Sequence, residues 1–294
     1  MAEKAPSANT VLIVVVLIAG GLAWAGSQGG VMAGRAPAFA VIVAIAFVIQ
    51  WVAFVPAFIK QTEHFFDLTG SLTFMVSILL ALILSGRVDV RSLLLAALVI
   101  IWAARLGSFL FTRVRRSGSD DRFDEIKTDV MRFFNVWTIQ GLWVSLTLAA
   151  ALAAVTSTRT VGLDVFAIVG LVIWIIGFTM EAIADQQKTA FRADPANKGS
   201  YITSGLWSWS RHPNYFGEIL LWLGVAIIAF PVLRGWQYVT LISPLFVFAL
   251  ITRVSGVPQL EKKAETKWGG QPDYEAYKAR TSMLVPLPPK RSRP

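Results

Sequence analysis

The residues best suited to chemistry gather between positions 181 and 218. Glu181, Asp185, Lys188 and Arg192 stand at i, i+4, i+7 and i+11, one face of a helix. Two acids followed by two bases can pair with one another at a helix end, where the bases also complement the dipole. The same bases can instead hold a phosphate-bearing ligand. Downstream, Arg211-His212-Pro213 opens a second helix. Proline suits the first helical position, because its missing N–H would have had no partner there. The remaining free N–H groups of that turn make an anion site, with Arg211 and His212 at its mouth. Asn214 and Glu218 follow one turn apart. Glu218 lies just inside an apolar segment, where ionisable residues are functional candidates. Gly217 allows close approach by another chain or a ligand. In the tail, Asp273, Tyr277 and Arg280 share a helical face, next to Tyr274. That face could close over a ligand held by the 186–212 loop, or lie at a membrane surface anchored by tyrosines.

These groups must be positioned by a very apolar chain. Of 294 residues, 55% are apolar and 15% charged. Soluble domains carry about 25% charge, so a water-soluble fold and disorder are both excluded. There is no cysteine, which removes disulfides, thiolate metal sites, cysteine nucleophiles and iron–sulfur clusters. Two histidines, His64 and His212, leave little for a metal cage, and no metal site is expected. The net charge of +9 reads as membrane-flanking loops, not as a nucleic-acid surface.

A membrane helix needs roughly 20 apolar residues. Charge-free runs lie between Lys4 and Arg35, Arg35 and Lys60, and Asp67 and Arg87. Another extends from Phe133 to Thr158. Ser92 to Thr112 is broken only by Arg105, and Val161 to Ala184 carries Asp164 and Glu181 near its ends. Ile219–Leu233 and Gly235–Thr252 form a hairpin around Pro231 and Arg234-Gly235. The runs lack the alternation of barrel strands. The sequence predicts an all-α integral membrane helix bundle of seven or eight transmembrane helices. The count depends on the first span, where Ala23-Trp24-Ala25 resembles a signal-peptidase site. The apolar run continues past it, so an uncleaved helix is expected. With the N-terminus inside, twenty-one basic residues fall on the cytoplasmic side and five outside. Segments 113–132, 185–212 and 254–294 are then cytoplasmic, and a soluble cofactor would meet the protein there.

Arg211-His212-Pro213-Asn214-Tyr215-Phe216-Gly217-Glu218 is similar to the R-H-P-N-Y-x-G-E/D run of membrane reductases with a steroid 5-alpha-reductase C-terminal domain. The chain resembles their bacterial branch most closely. The resemblance extends from about residue 60 to 290. It implies a helix bundle whose C-terminal half holds NADPH on the cytoplasmic side. It implies NADPH contacts from Asp185, Arg192, Tyr201 and Asn214, with Arg211, His212, Glu218 and the Tyr274–Arg280 helix as additions. Lys188, Arg192, Lys198 and Arg211 could meet the pyrophosphate and 2′-phosphate. Sterol reductases share the motif, and isoprenylcysteine and phospholipid methyltransferases carry a looser form on the same architecture. S-adenosylmethionine is therefore the alternative cofactor.

Steroid 5-alpha-reductases carry a catalytic glutamate and tyrosine on two early helices. The resemblance puts Asp67 near the first place and Trp102 near the second. Every tyrosine here lies at 201 or later, which puts 3-keto steroid specificity in doubt. Asp67 could donate to a carbonyl oxygen if desolvation raised its pKa. Trp102 can donate a hydrogen bond but no useful proton. Arg105, one turn on, could be the electrophile, Asp67's partner, or a structural ion pair. Glu63 and His64 are further acid candidates. A similarity of the 113–132 loop to bacterial relatives suggests that Arg122 packs on the cofactor loop.

The expectation is thus an N-terminal pair of helices over 1–59 and a reductase-like domain over 60–294, with its cofactor half at 181–294. The expected activity is NADPH-dependent reduction of a lipid-soluble enone or unsaturated substrate, in contact with membrane lipids and no nucleic acid. The expected location is a bacterial inner membrane. The alternatives are a lipid or isoprenylcysteine-type methyltransferase and a non-catalytic lipid-binding protein. Gly20-Gly21 and Gly26 make no clear G-x-x-x-G pair, so the oligomeric state stays open.

Overall fold

The computed structural model describes residues 7–117, 123–124 and 126–289, with 113–117 by backbone alone. The protein is an all-α integral membrane protein. Among the described residues, eight helical segments are long and apolar enough to cross a bilayer. They are α1 (Ala8–Ser27), α2 (Ala38–Ile59), α3 (Phe66–Ser85), α4 (Val90–Ser117, apolar to Thr112), α5 (Val130–Val155), α6 (Val165–Ala193), Pro213–Val232 and Gly235–Trp268. The seventh contains α7 (Pro213–Ala229). It begins six residues before the apolar run starting at Ile219, because Glu218 interrupts the apolarity and not the helix. The eighth joins a 3-10 turn, α8 (Ile242–Ala249), a π turn at Leu250–Val254 and the polar α9 (Val257–Trp268). A short α10 (Pro272–Arg280) follows. A two-stranded hairpin pairs Met32–Ala33 with Ala36–Pro37.

The chain forms two compact units. The first comprises residues 1–167 and 225–243, the second 168–224 and 244–294.

In the first unit α5 is the core helix. Phe133, Trp137 and the run Leu146–Val155 are buried, and α1, α2 and α3 pack around it. Lipid offers polar groups no partner, and several inside the apolar layer pair with one another. Gln50 Nε2 donates to Thr73 Oγ1 at 2.7 Å. At one end, Asn135 Nδ2 donates to the Ala8 carbonyl (2.9 Å), and Lys127 pairs with Glu63 (3.3 Å) and Asp124 (3.0 Å). At the other end Arg91, 1% exposed, donates to the carbonyls of Val161, Gly162 and Ile228 and pairs with Asp164 at 2.8 Å. Arg87 binds the Ser157 and Thr158 carbonyls nearby. Two of the five basic residues assigned to the outer loops therefore tie loops together.

In the second unit α6 and α7 cross on a seam of glycines. A Cβ at Gly177 would lie 2.6 Å from the Gly217 carbonyl, and one at Gly217 would lie 2.5 Å from the Gly177 carbonyl. Seven residues along each helix, a Cβ at Gly224 would meet the Gly170 carbonyl at 2.5 Å. Small residues let membrane helices approach to backbone contact. The close approach allowed at Gly217 is thus taken up by α6.

Candidate functional site

The seam sets the register between α6 and the Arg211–Glu218 motif. Just beyond it, Asn214 Nδ2 donates to Asp185 Oδ1 at 3.1 Å, and Glu181 and Asp185 are both buried. The chain then folds back on α6. Trp207 Nε1 donates to the Ala184 carbonyl (3.1 Å), and Leu206 N–H donates to Gln187 Oε1 (3.0 Å). Gly205 has φ +60°, and a Cβ there would strike the Gln187 amide. Lys188 Nζ lies 4.4 Å from the Trp207 ring centroid, a cation–π contact.

The tail completes the site. Tyr274 and Tyr277 turn inward and are buried, while Asp273 and Arg280 are exposed. The packed face of α10 is therefore the tyrosine pair, and not the Asp273–Tyr277–Arg280 face. Tyr277 donates its hydroxyl to the Trp207 carbonyl at 2.7 Å. Tyr201 packs against Tyr274, Tyr277 and Trp268 with centroids 5.0, 5.6 and 5.3 Å apart. The segment after α10 runs beside the motif: Arg211 N–H donates to the Ser282 carbonyl and Leu287 N–H to the Trp209 carbonyl.

These elements enclose a cavity of about 490 Å³. Among the described residues, Lys188, Arg192, Lys198, Arg211, Lys263 and Lys267 line it, against one carboxylate, Glu261. Tyr201, Trp207, Trp268, Tyr274 and Tyr277 supply aromatic walls. Glu261 pairs with the Arg211 guanidinium through one oxygen and with His212 Nε2 at 2.7 Å through the other. Burial holds the His212 pKa below its ordinary value, although Glu261 pulls it upward. Burial also raises the phenol pKa of Tyr201, Tyr274 and Tyr277, so all three are neutral at pH 7. The site can neutralise several negative charges and stack a planar ring. Its volume lies within the range of small-molecule sites, roughly 300–1,000 Å³.

The cavity brings together eight residues singled out in the sequence: Lys188, Arg192, Lys198, Tyr201, Arg211, His212, Tyr274 and Tyr277. Asp185 and Asn214 bond to one another and do not line it. Glu218 is half-buried on α7 and Arg280 is exposed at the end of α10; neither lines it. The sequence reading missed Glu261, Lys263, Lys267 and Trp268. Their only signal was the helical spacing of Glu261, Ala264 and Trp268 in a segment read simply as basic tail.

Asp67, Trp102 and Arg105 lie in the first unit. Asp67 occupies the first turn of α3, half-buried. Trp102 is 2% exposed and meets Phe74 edge-on at 5.0 Å. A Cβ at Gly107 would come 2.7 Å from Ser71 Cβ, so α4 crosses α3 one turn from Asp67. Arg105 is half-buried, its guanidinium 5.8 Å from the Phe109 ring. Glu63 is buried against Lys127, and His64 is exposed. Arg122 lies outside the described residues.

The family model described as "Protein of unknown function (DUF1295)" matches residues 53–281. An uncharacterized protein of Schizosaccharomyces pombe is 24% identical over 226 residues, 67% of this chain and 63% of that protein. The chain thus spans less than two thirds of that relative's length. A probable O-methyltransferase of Ustilaginoidea virens is 32% identical over 66 residues, 22% of this chain and 23% of that protein. No solved structure matches the chain significantly. With three quarters of its length under that family model, the chain belongs to the DUF1295 family of steroid 5-alpha-reductase-like membrane proteins.

Proposed function

We propose that the protein is a membrane-embedded NADPH-dependent reductase of a lipid-soluble enone or other unsaturated substrate. The observation that carries this reading is the cavity with six cations, one carboxylate and six Phe, Tyr and Trp side chains. NADPH bears a pyrophosphate and a 2′-phosphate, and such groups call for guanidinium and ammonium partners. Lys188 and Arg192 would meet them from α6, Lys263 and Lys267 from α9. S-adenosylmethionine has a cationic sulfonium, which the same six charges would disfavour. When bound, NADPH would supply the hydride.

The chain's own part at the acceptor is assigned to the first unit. Asp67 would hold or protonate the substrate oxygen, with Arg105 as electrophilic partner and the Trp102 indole as a further donor. Substrate would enter laterally from the bilayer. The distribution of basic residues supports an orientation with the cavity on the cytoplasmic side, and the membrane would be a bacterial inner membrane. Within 60–294, residues 181–294 would form the cofactor half.

A methyltransferase reading has its own support in the likeness to the Ustilaginoidea virens protein and in Glu261, a carboxylate able to face a sulfonium. Following NADPH absorbance in detergent, with a panel of enones, separates the readings. Enone-dependent oxidation that falls at least tenfold in Asp67→Asn supports the reductase. Methyl transfer from labelled S-adenosylmethionine, with NADPH left untouched, would replace it.

A further inference from the structure

A second cavity of about 470 Å³ adjoins the first within the same unit. Gly199, Ser200, Tyr201, Lys267 and Trp268 line both. Gly199 takes a left-handed φ of +88°, and its carbonyl accepts from Trp268 Nε1 at 2.7 Å. That bond fixes the indole in the common wall. Beyond the wall the lining changes character. The second lobe adds Thr203, Gln271 and Asp273, and its single cation among the described residues, Lys267, is the shared one.

The two lobes therefore differ in charge. The first has six cations against Glu261; the second sets Lys267 against Asp273. Phosphates would find partners in the first and would gain nothing in the second. The second offers a hydroxyl, an amide and a carboxylate beside two aromatic rings. A neutral planar heterocycle with a hydrogen-bond donor on its edge matches that lining, and a purine carrying an exocyclic amino group has both features.

We infer that the two lobes hold one elongated ligand, and that the outer lobe seats its adenine. The ring lies against the Tyr201–Trp268 wall, Asp273 accepts from its amino group, and Lys267 meets the phosphate on the adjoining ribose. This rests on the NADPH reading and assigns residues to the half of that cofactor remote from the hydride.

The test is equilibrium binding, without turnover. NADPH, its hypoxanthine analogue and adenosine 2′,5′-bisphosphate are titrated against the native protein, Thr203→Trp and Asp273→Asn. Hypoxanthine carries a carbonyl where adenine carries the amino group, so Asp273 would face an acceptor. A site built for a donor rejects an analogue lacking it. The native protein is expected to prefer adenine by about tenfold. Asp273→Asn, at an exposed position with little bearing on folding, should erase that preference. Thr203→Trp should weaken the bisphosphate by about tenfold or more, while reduced nicotinamide mononucleotide, which lacks the adenosine half, binds as before. NADPH binding with no base preference, unchanged by either variant, would overturn the outer-lobe assignment and leave the NADPH reading standing. No NADPH binding to the native protein would overturn both.

Discussion

His212 Nε2 and the Glu261 carboxylate meet at 2.7 Å across forty-nine residues of chain. An ionised carboxylate only accepts, so Nε2 carries the proton, and in the neutral ring Nδ1 keeps the lone pair. Glu261 thus fixes the tautomer of the motif histidine while also holding Arg211. With only two histidines in the chain, ¹⁵N-labelled imidazoles resolve this directly, and His64→Gln makes the assignment. The native protein should show an Nε2–H ring at pH 7.5. Glu261→Gln presents an amide that can donate, and should shift the proton toward Nδ1. An unchanged tautomer in that variant would contradict the role given to Glu261.

The same pair sets a pH dependence. Burial depresses the His212 pKa from its ordinary 6.5. A depressed pKa gives stability that is complete above the unfolded value and is lost as pH falls through the folded one. The melting temperature of the native protein should fall more steeply from pH 7 to pH 5 than that of His212→Gln. Equal slopes would show that His212 is not held neutral.

Gly217→Ala places a methyl 2.5 Å from the Gly177 carbonyl, where backbone must move. Overpacking of this kind costs about 1–3 kcal/mol. Separating α6 from α7 should also loosen the Asp185–Asn214 bond beyond the seam. The expected result is a lower melting temperature together with weaker NADPH binding. Gly20→Ala on α1, with open space around its Cβ position, should do neither.

The spans were legible because charges mark their ends; where Glu218 sits inside a helix, the apolar run began too late. The α6 face was legible in part: Lys188 and Arg192 reach the cavity, while Glu181 and Asp185 are buried before it. Helical spacing put Asp273, Tyr277 and Arg280 on one face of α10 but could not tell which side packs, and the buried pair Tyr274 and Tyr277 decides that. Glu261 carried only its helical spacing with Ala264 and Trp268, which says nothing of its partners. Its partners lie about fifty residues away, and no local pattern announces a pairing made by tertiary folding.

Arg91 serves the fold and not the cavity. Arg91→Ala would leave the buried Ile228 carbonyl and the less buried Val161 and Gly162 carbonyls without their donor, and Asp164 without its partner. A buried carbonyl left without its donor costs about 1–3 kcal/mol, and the loss at Asp164, a third exposed, adds less. A large fall in melting temperature is expected, with NADPH affinity unchanged in the folded fraction. A selective loss of affinity would contradict this.

Lys188→Ala and Arg192→Ala remove cations from the α6 side of the cavity. Charge-assisted hydrogen bonds contribute roughly 1.5–3 kcal/mol, about tenfold or more in affinity. Each variant should weaken NADPH accordingly, more at low salt than at high. Reduced nicotinamide mononucleotide, with fewer phosphates, should lose less. Equal losses for both ligands would mean that these residues hold structure and not phosphate.

The central claim is that the cavity takes NADPH. The most direct measurement is the thermal stability of the purified protein with NADPH, NADH or S-adenosylmethionine in separate samples. A ligand at about 100 times its dissociation constant adds about 2.7 kcal/mol to the folded state, and the ranking of the three holds even where unfolding is irreversible. The account predicts the largest rise with NADPH, a smaller one with NADH and none with S-adenosylmethionine. A rise with S-adenosylmethionine alone, or with none of the three, would contradict it.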